Sequence, residues 1–411
     1  KYSLKTLGCK ANLYDSQLIE AELRRRGWVP AEAGESADLC VVNSCTVTDE
    51  ADRQSRKAAS AASAGTGTRV VFTGCGAEVS PERIRSSGVA DFVVGNQDRP
   101  RLVDLVLGAI GETENPRRSR ILGSVSDYRD FLSRHPMDRE WSAPEGAFHL
   151  PPVHRGGETD RRRGFLKIQE GCDSFCTYCI IPYGRGPSRS LPIPDLVRAV
   201  NELVDRGLRE VVVTGTNIGD YGRDRSTDGR PTLEDLIESL LSETNLERLR
   251  ISSLDPVEIG PRLRGLYSGN PRLCAHFHVS LQSPRSRILR LMKRKYSAED
   301  VEECRRSIAE LPAPIGGVYV GMDVIAGFPG ETRDEFDRGV ERLRDLPWTR
   351  LHVFPYSERT GTPATRLPES VEPSERSRRA KVLRALSLDR MKDVHRRILE
   401  ESRTSGRGLD R

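Results

Sequence analysis

Cys172, Cys176 and Cys179 fall within eight residues, spaced CxxxCxxC, in the run Gly171-Cys172-Asp173-Ser174-Phe175-Cys176-Thr177-Tyr178-Cys179. Thiols this close together suit metal or redox chemistry. A structural zinc site takes four protein ligands, and no fourth cysteine or histidine lies nearby. Three thiolates can hold a cubane iron–sulfur cluster and leave one iron open to a substrate or cofactor. A cysteine-rich turn without metal is the alternative, and a chain with no disulfide framework gives it little support. The apolar run Phe165-Leu166-Lys167-Ile168 comes directly before the triad. It reads as a strand, so the cysteines occupy the loop leaving it.

The first 110 residues position a second set. Tyr2–Leu7, Leu39–Asn43 and Arg69–Thr73 read as short buried strands, with helical patterns at Asp15–Arg26, Asp49–Ala64 and Pro81–Ser87. This alternation predicts an α/β domain, a parallel sheet in three layers. Cys9, Cys45 and Cys75 each follow one of the strands, in the contexts Leu7-Gly8-Cys9, Asn43-Ser44-Cys45 and Thr73-Gly74-Cys75. Parallel strands bring their carboxyl ends to one edge, where distant cysteines converge. A second three-thiolate cluster is the expectation, with ordinary buried cysteines as the alternative. Cys40 lies inside a strand, and Cys274 and Cys304 lack ligand-like spacing, so core packing is their reading.

Residues 111–163 read as a linker, with Arg117-Arg118, Pro144, Pro151-Pro152, Gly156-Gly157 and Arg161-Arg162-Arg163. From Gly164 to about residue 360 a new series begins. Strand-like runs at Phe165–Ile168, Glu210–Thr214, Leu249–Ser252, Phe277–Leu281, Tyr319–Ile325 and Leu351–Pro355 alternate with helical patterns. Six such units predict a partial (β/α)6 barrel whose site lies at the carboxyl ends of its strands. Residues 361–411 read as a helical extension, basic and amphipathic from Ser374 to about Ser402. Leu383, Leu386, Met391, Val394 and Ile398 form the apolar stripe that packs on the barrel.

Composition narrows the function classes. The chain has 411 residues, 36% hydrophobic and 30% charged, which fits two or three domains with cores of their own. No apolar run is long enough to span a bilayer, and Lys1-Tyr2-Ser3-Leu4 enters a strand with no signal-peptide pattern. Nine cysteines without secretory features point to a reducing compartment, the cytoplasm. A net charge of +5 does not by itself identify a nucleic-acid partner.

With both triads in place, the chain resembles the radical S-adenosylmethionine (SAM) methylthiotransferases over nearly all of Lys1 to Leu388. The resemblance rests on Thr6-Leu7-Gly8-Cys9-Lys10-Ala11-Asn12, Asn43-Ser44-Cys45-Thr46-Val47-Thr48, Thr73-Gly74-Cys75, Ile168-Gln169-Glu170-Gly171-Cys172 and Ile180-Ile181-Pro182-Tyr183-Gly184-Arg185-Gly186. It continues through Arg250-Ile251-Ser252-Ser253, the stretch from Asp323 to Thr332 and His352-Val353-Phe354-Pro355-Tyr356-Ser357. Gln169-Glu170-Gly171-Cys172, Lys295-Tyr296 and Ser357-Glu358-Arg359-Thr360-Gly361-Thr362-Pro363 are most similar to the branch acting on N6-threonylcarbamoyladenosine in tRNA. The resemblance implies a [4Fe-4S] cluster on Cys172, Cys176 and Cys179 that binds SAM and yields a 5′-deoxyadenosyl radical. It implies a second [4Fe-4S] cluster on Cys9, Cys45 and Cys75 that presents sulfur, with Asn12 beside it. Implied SAM neighbours are Tyr178, Thr214, Ser280, Gln282, Ile325, Gly327 and Glu331. Implied partners are the tRNA anticodon stem-loop, an electron donor such as flavodoxin or ferredoxin, and a sulfur source, with no membrane.

Two departures stand out. Leu281-Gln282-Ser283-Pro284 takes the place of the family's usual Leu-Gln-Ser-Gly, and residues 389–411 do not read as the small β-barrel RNA-binding domain that family members usually carry. Competing readings are a methylthiotransferase acting on isopentenyladenosine or on a ribosomal-protein aspartate, and, from another class, a two-cluster electron-transfer or iron–sulfur carrier protein.

Overall fold

Alternation along short apolar strands builds the first sheet. β1 (Tyr2–Thr6), β2 (Leu39–Ser44), β3 (Arg69–Gly74), β4 (Phe92–Val94) and β5 (Arg120–Leu122) lie side by side in chain order, all parallel. The computed structural model describes residues 1–64, 67–111, 119–123, 163–224, 229–313 and 317–405. Successive strand side chains point to opposite faces. Leu39, Val41, Val71 and Phe92 therefore pack with Ile19 and Leu23 of α1 (Lys10–Arg25) and with Leu102 and Val106 from near Leu102–Gly111. Cys40, Val42, Val70 and Phe72 face the other way, toward Ala59 of α2 (Asp49–Ser63), Ala77 of α3 (Cys75–Val79) and Ile84 of α4 (Pro81–Ser87). Cys40 is a core residue of this face.

Two boundaries differ from the sequence expectation. α1 starts at Lys10 rather than Asp15, because Cys9 stands in extended backbone as its N-cap. The stretch expected as a linker from 111 to 163 contributes β5, which pairs with β4 from Phe92↔Arg120 to Val94↔Leu122. A three-residue strand carries too little periodicity to be read. The remaining linker features, from Pro144 to Arg162, lie outside the described residues, as do Arg117 and Arg118.

The second body opens with β6 (Arg163–Lys167) and a small antiparallel ribbon of β7 (Gln169–Glu170) and β8 (Arg189–Ser190). β9 (Glu210–Thr214) pairs β6 and β10 (Arg248–Ile251); past Ser252 the chain continues as β11 (Ser253–Leu254), then β12 (His276–Gln282), β13 (Tyr319–Ala326) and β14 (Arg350–Pro355), all parallel. This is a six-position partial barrel in chain order. Its helices begin where the side chains dictate: Thr232, Ser297 and Thr332 form capping boxes ahead of the helices Leu233–Glu243, Ala298–Ala309 and Arg333–Asp345. Phe277, Val279 and Leu281 of β12 join the core under those helices, while His276, His278, Ser280 and Gln282 face the barrel interior. Among the described residues no helix is long and apolar enough to cross a membrane.

The C-terminal helix, Pro373–Ser405, lies on the last barrel strand. Ala380 and Leu383 enter the barrel core, Ser387 Oγ accepts from the Leu351 N–H at 2.9 Å, and Arg379 pairs with Glu331 at 2.7 Å. Both members of that pair are buried, and burial raises the Glu331 pKa against the pull of Arg379. Arg379→Met strands a buried carboxylate. A stability loss of about 3 kcal/mol is expected, read as a lower urea midpoint. A loss under about 1 kcal/mol would rank the contact with surface bridges.

Candidate thiolate sites between the sheet and the barrel

Register assembles the first triad. Thr6, Asn43 and Thr73 are aligned across β1, β2 and β3, so the residues that follow leave at one edge. Cys9 caps α1 and Cys75 begins α3, placing both at helix N-termini where the backbone dipole favours a thiolate. The three exits are stitched together by polar side chains. Asn12 Nδ2 donates to the carbonyls of Leu7 and Ser44 at 2.7 and 2.9 Å, Ser44 Oγ donates to the Thr73 carbonyl, and Gly76 N–H donates to Ser44 Oγ at 3.0 Å. Gly8 permits the closeness, since a Cβ there would stand 2.6 Å from Cys45 Cβ. Burial pushes the Cys45 thiol up to about 12 and raises Cys75, and each of the two is raised further by its neighbours in the triad.

The barrel triad leaves β7. Gln169 anchors the loop at its base: its Nε2 donates to the Gly171 carbonyl at 2.7 Å and to Ser188 Oγ at 2.9 Å. Its Oε1 accepts from the N–H groups of Thr216 and Asn217 at 3.0 and 2.9 Å, which fixes the turn after β9. The Cys172 N–H donates to the Gly186 carbonyl at 3.1 Å and the Cys179 N–H to the Cys176 carbonyl at 2.9 Å. Arg294 Nη1 donates to Cys176 Sγ at 3.0 Å, and the same guanidinium pairs with Asp255 and donates to Tyr296 Oη at 3.0 Å. Burial pushes the Cys172 thiol up to about 11 and raises Cys179 as well.

A buried ion network joins the two triads. Asp15 of α1 accepts from Lys167 at 2.6 Å, Arg99 at 2.9 Å and Arg185 at 3.1 Å. Glu170 of β7 accepts from Arg185 at 2.6 Å, Arg99 and Arg189 at 3.0 Å and Lys167 at 3.3 Å. Arg185 also donates to Asn12 Oδ1. The short helix Ile181–Arg185, which follows Cys179, lies directly on the first triad. A Cβ on Gly184 would be 3.3 Å from Cys75 Cβ, and Asn96 Nδ2 donates to the Gly184 carbonyl at 2.6 Å while standing 3.6 Å from Cys75 Sγ. Sequence reading singled out none of Asp15, Arg99, Lys167, Arg189, Asn96, Arg294 or Asp255 for the site. Their pairings span up to 170 residues, and no local pattern carries them.

The residues expected near SAM divide into two groups. Tyr178 stands edge-on to Phe328 at 6.2 Å, Thr214 ends β9 and takes the Ile168 N–H at 2.9 Å, and the Ser280 carbonyl accepts from Tyr296 Oη. Gln282 follows a bulge in β12 and has φ +61°, a strained conformation for a residue with a Cβ. Ile325 lies on the interior side of β13. Gly327 and Glu331 share one turn: the Glu331 carboxylate takes the Gly327 N–H at 2.8 Å and Arg379 of the C-terminal helix.

Each triad is all sulfur with a guanidinium at hand, Arg185 for the first and Arg294 for the second, a donor set that fits a three-thiolate cluster. All nine cysteines are free.

Comparison with known proteins agrees with this geometry. Residues 1–95 match the family described as "Uncharacterized protein family UPF0004" and residues 166–343 match the radical SAM superfamily. The threonylcarbamoyladenosine tRNA methylthiotransferase MtaB of Bacillus subtilis (strain 168) is 34% identical, over 93% of this chain and 79% of that protein. The chain belongs to the radical SAM methylthiotransferase family. The Aquifex aeolicus (strain VF5) protein of the same name is 32% identical over 98% and 94%. The tRNA-2-methylthio-N(6)-dimethylallyladenosine synthase of Verminephrobacter eiseniae (strain EF01-2) is 31% identical over 98% and 84%. A radical SAM methyltransferase from Kitasatospora setae, TsrM, shares the fold at a TM-score of 0.60 with 16% identity, over 88% and 75%. The two-cluster carrier reading falls away, because relatives named as transferases match through both bodies of this methylthiotransferase.

The network makes a pH prediction. Asp15 and Glu170 are fully buried with carboxyls held low, Glu170 well below the usual range, as the surrounding guanidiniums and Lys167 overcome the cost of burial. A depressed folded pKa stabilises the fold above the unfolded value, about 4, and that stability is lost as pH falls through the folded value. In metal-free protein, Glu170→Gln should lower the urea midpoint at neutral pH by the equivalent of about 3 kcal/mol and flatten the fall of that midpoint below about pH 4. An unchanged acid limb would mean that the network does not govern acid unfolding.

Proposed function

We propose that this methylthiotransferase converts N6-threonylcarbamoyladenosine beside the tRNA anticodon to its 2-methylthio derivative. The observation that carries the reading is the juxtaposition of two all-sulfur triads, with the Ile181–Arg185 helix running from one to the other. Relatives named for that substrate over most of both chains support the choice.

Cys172, Cys176 and Cys179 hold one [4Fe-4S] cluster and Cys9, Cys45 and Cys75 the other. When bound, the first cluster with SAM would supply radical chemistry at an unactivated aromatic carbon, and the second would supply the sulfur to be transferred. The chain's own residues position these groups. Gln169 ties the cysteine loop to the turn after β9, Arg294 donates to Cys176, and Asn12 and Ser44 lock the exits of β1, β2 and β3. Tyr178, Thr214, Ser280, Gln282 and Ile325 surround SAM, and the turn from Gly327 to Glu331 braces that side against the C-terminal helix. The first unit spans residues 1–110 with Arg120–Leu122 added, and the barrel unit begins at β6. The protein works in the cytoplasm, taking electrons from a flavodoxin or ferredoxin and sulfur from a separate donor.

Isopentenyladenosine is the runner-up substrate, on the strength of the Verminephrobacter relative. Mass spectrometry of tRNA nucleosides from a deletion strain decides. Loss of the methylthio group from threonylcarbamoyladenosine alone supports the proposal, and loss from isopentenyladenosine overturns it.

The triads should separate by substitution. Cys172→Ala, Cys176→Ala or Cys179→Ala is expected to abolish 5′-deoxyadenosine formation. Cys9→Ala, Cys45→Ala or Cys75→Ala should leave that step and abolish methylthiolation, and iron should fall by about half in either set. Normal methylthiolation by a first-triad variant would return Cys9, Cys45 and Cys75 to the core.

A further inference from the structure

Phe354 is a large apolar side chain left 45% exposed. Its surroundings make that exposure informative. On β14, Leu351 and Val353 join the barrel core, so His352 and Phe354 take the opposite, interior face. The His352 ring, stacked on His278 at 4.9 Å, and the His278 bond to Asp323 at 2.8 Å confirm which face that is. Phe354 is the last interior-facing residue of β14 and is paired in register with Ile325. It therefore stands at the barrel mouth, on an edge strand that no barrel neighbour covers on its outer side among the described residues.

The chain just beyond it is tied to the first triad. Asp49 N–H donates to Ser357 Oγ at 2.9 Å, and Arg359 donates to Thr46 Oγ1 at 2.7 Å and pairs with Asp49. Thr46 follows Cys45 directly. Phe354 is thus paired in register with Ile325 and comes, along the chain, just before the Ser357 and Arg359 contacts to the loop after Cys45. An exposed aromatic at such a mouth has a ready use when the substrate is a base taken out of a stack, because unstacked bases are held against aromatic faces.

We infer that Phe354 is the platform on which the substrate purine stacks, between the radical source and the sulfur-bearing triad. The inference rests on the RNA reading above and adds the residue that holds the base. It is a binding and positioning role, with no chemistry at the ring.

The test uses the reconstituted full chain and an anticodon stem-loop RNA containing threonylcarbamoyladenosine. Phe354→Ala should raise KM for this RNA about tenfold, the scale of one lost base–aromatic stack, at an iron content equal to that of the unsubstituted chain. The ratio should hold from low to physiological salt, because stacking releases no counterions. Leu388→Ala, an exposed apolar residue of the C-terminal helix, should leave KM unchanged. Phe354→Trp should keep KM within about twofold and lose its added fluorescence as RNA saturates it, a signature that a merely structural ring does not give. If the unsubstituted chain methylthiolates the RNA while Phe354→Ala keeps its KM, or the Phe354→Trp signal ignores bound RNA, the inference is wrong. If the unsubstituted chain turns over no such RNA, the substrate reading fails first and takes this inference with it.

Discussion

Two buried carboxylates, one in each unit, fix how the sheet and the barrel meet. Asp15 comes from α1 and takes Lys167 and Arg185 from the barrel side; Glu170 comes from β7 and takes Arg99 from the sheet side. Removing such groups from water costs several kcal/mol each, and only close, multiple pairing offsets it. An apolar interface tolerates sliding, whereas a shift of about one ångström here would unpair several charges together. Four cations gather on two carboxylates in these pairs, and one of them, Arg185, reaches the first triad. Cys75 and Cys9 adjoin Arg185, which suits them to bear thiolates bound to metal.

Much of the scaffold was legible because it obeys local rules. Glu210–Thr214 and Ala298–Ala309 match their patterns residue for residue, the first a continuous apolar run between turn signals and the second opened by Ser297 with Asp300 three positions on. The cysteine triads were legible for a different reason. The residues of the first follow three parallel strands, which must deliver their ends to one edge, and those of the second share one loop at CxxxCxxC spacing. What stayed hidden was either short or distant. β4 and β5 have three residues each, and the five-residue helix from Cys75 carries no periodicity of its own. In the sequence Lys167 is one polar residue in an apolar run, and nothing next to it announces Asp15 as its partner. Gln169 and Glu170 appeared only as a phrase shared with a family. The structure supplies their work, one bracing a loop and the other gathering four cations.

The barrel's incompleteness explains why the two units cannot be understood apart. β6 and β14 are its two edges, and no pairing joins them among the described residues. Exposed sheet edges invite slippage or wrong partners unless something covers or pins them. At one edge the first unit supplies α1, packed on β6 and locked by Asp15 to Lys167. At the other, the chain leaving β14 clasps the loop after Cys45 through Ser357 and Arg359. The contacts that finish the barrel are therefore the contacts that set the separation of the triads. A sheet docked by α1 alone would leave the Cys45 loop free to swing, and one held by Ser357 and Arg359 alone would leave the Asp15 and Glu170 charges unpaired. Both clasps must close together, and the mouth they frame, with Phe354 at its rim, is the space left between them.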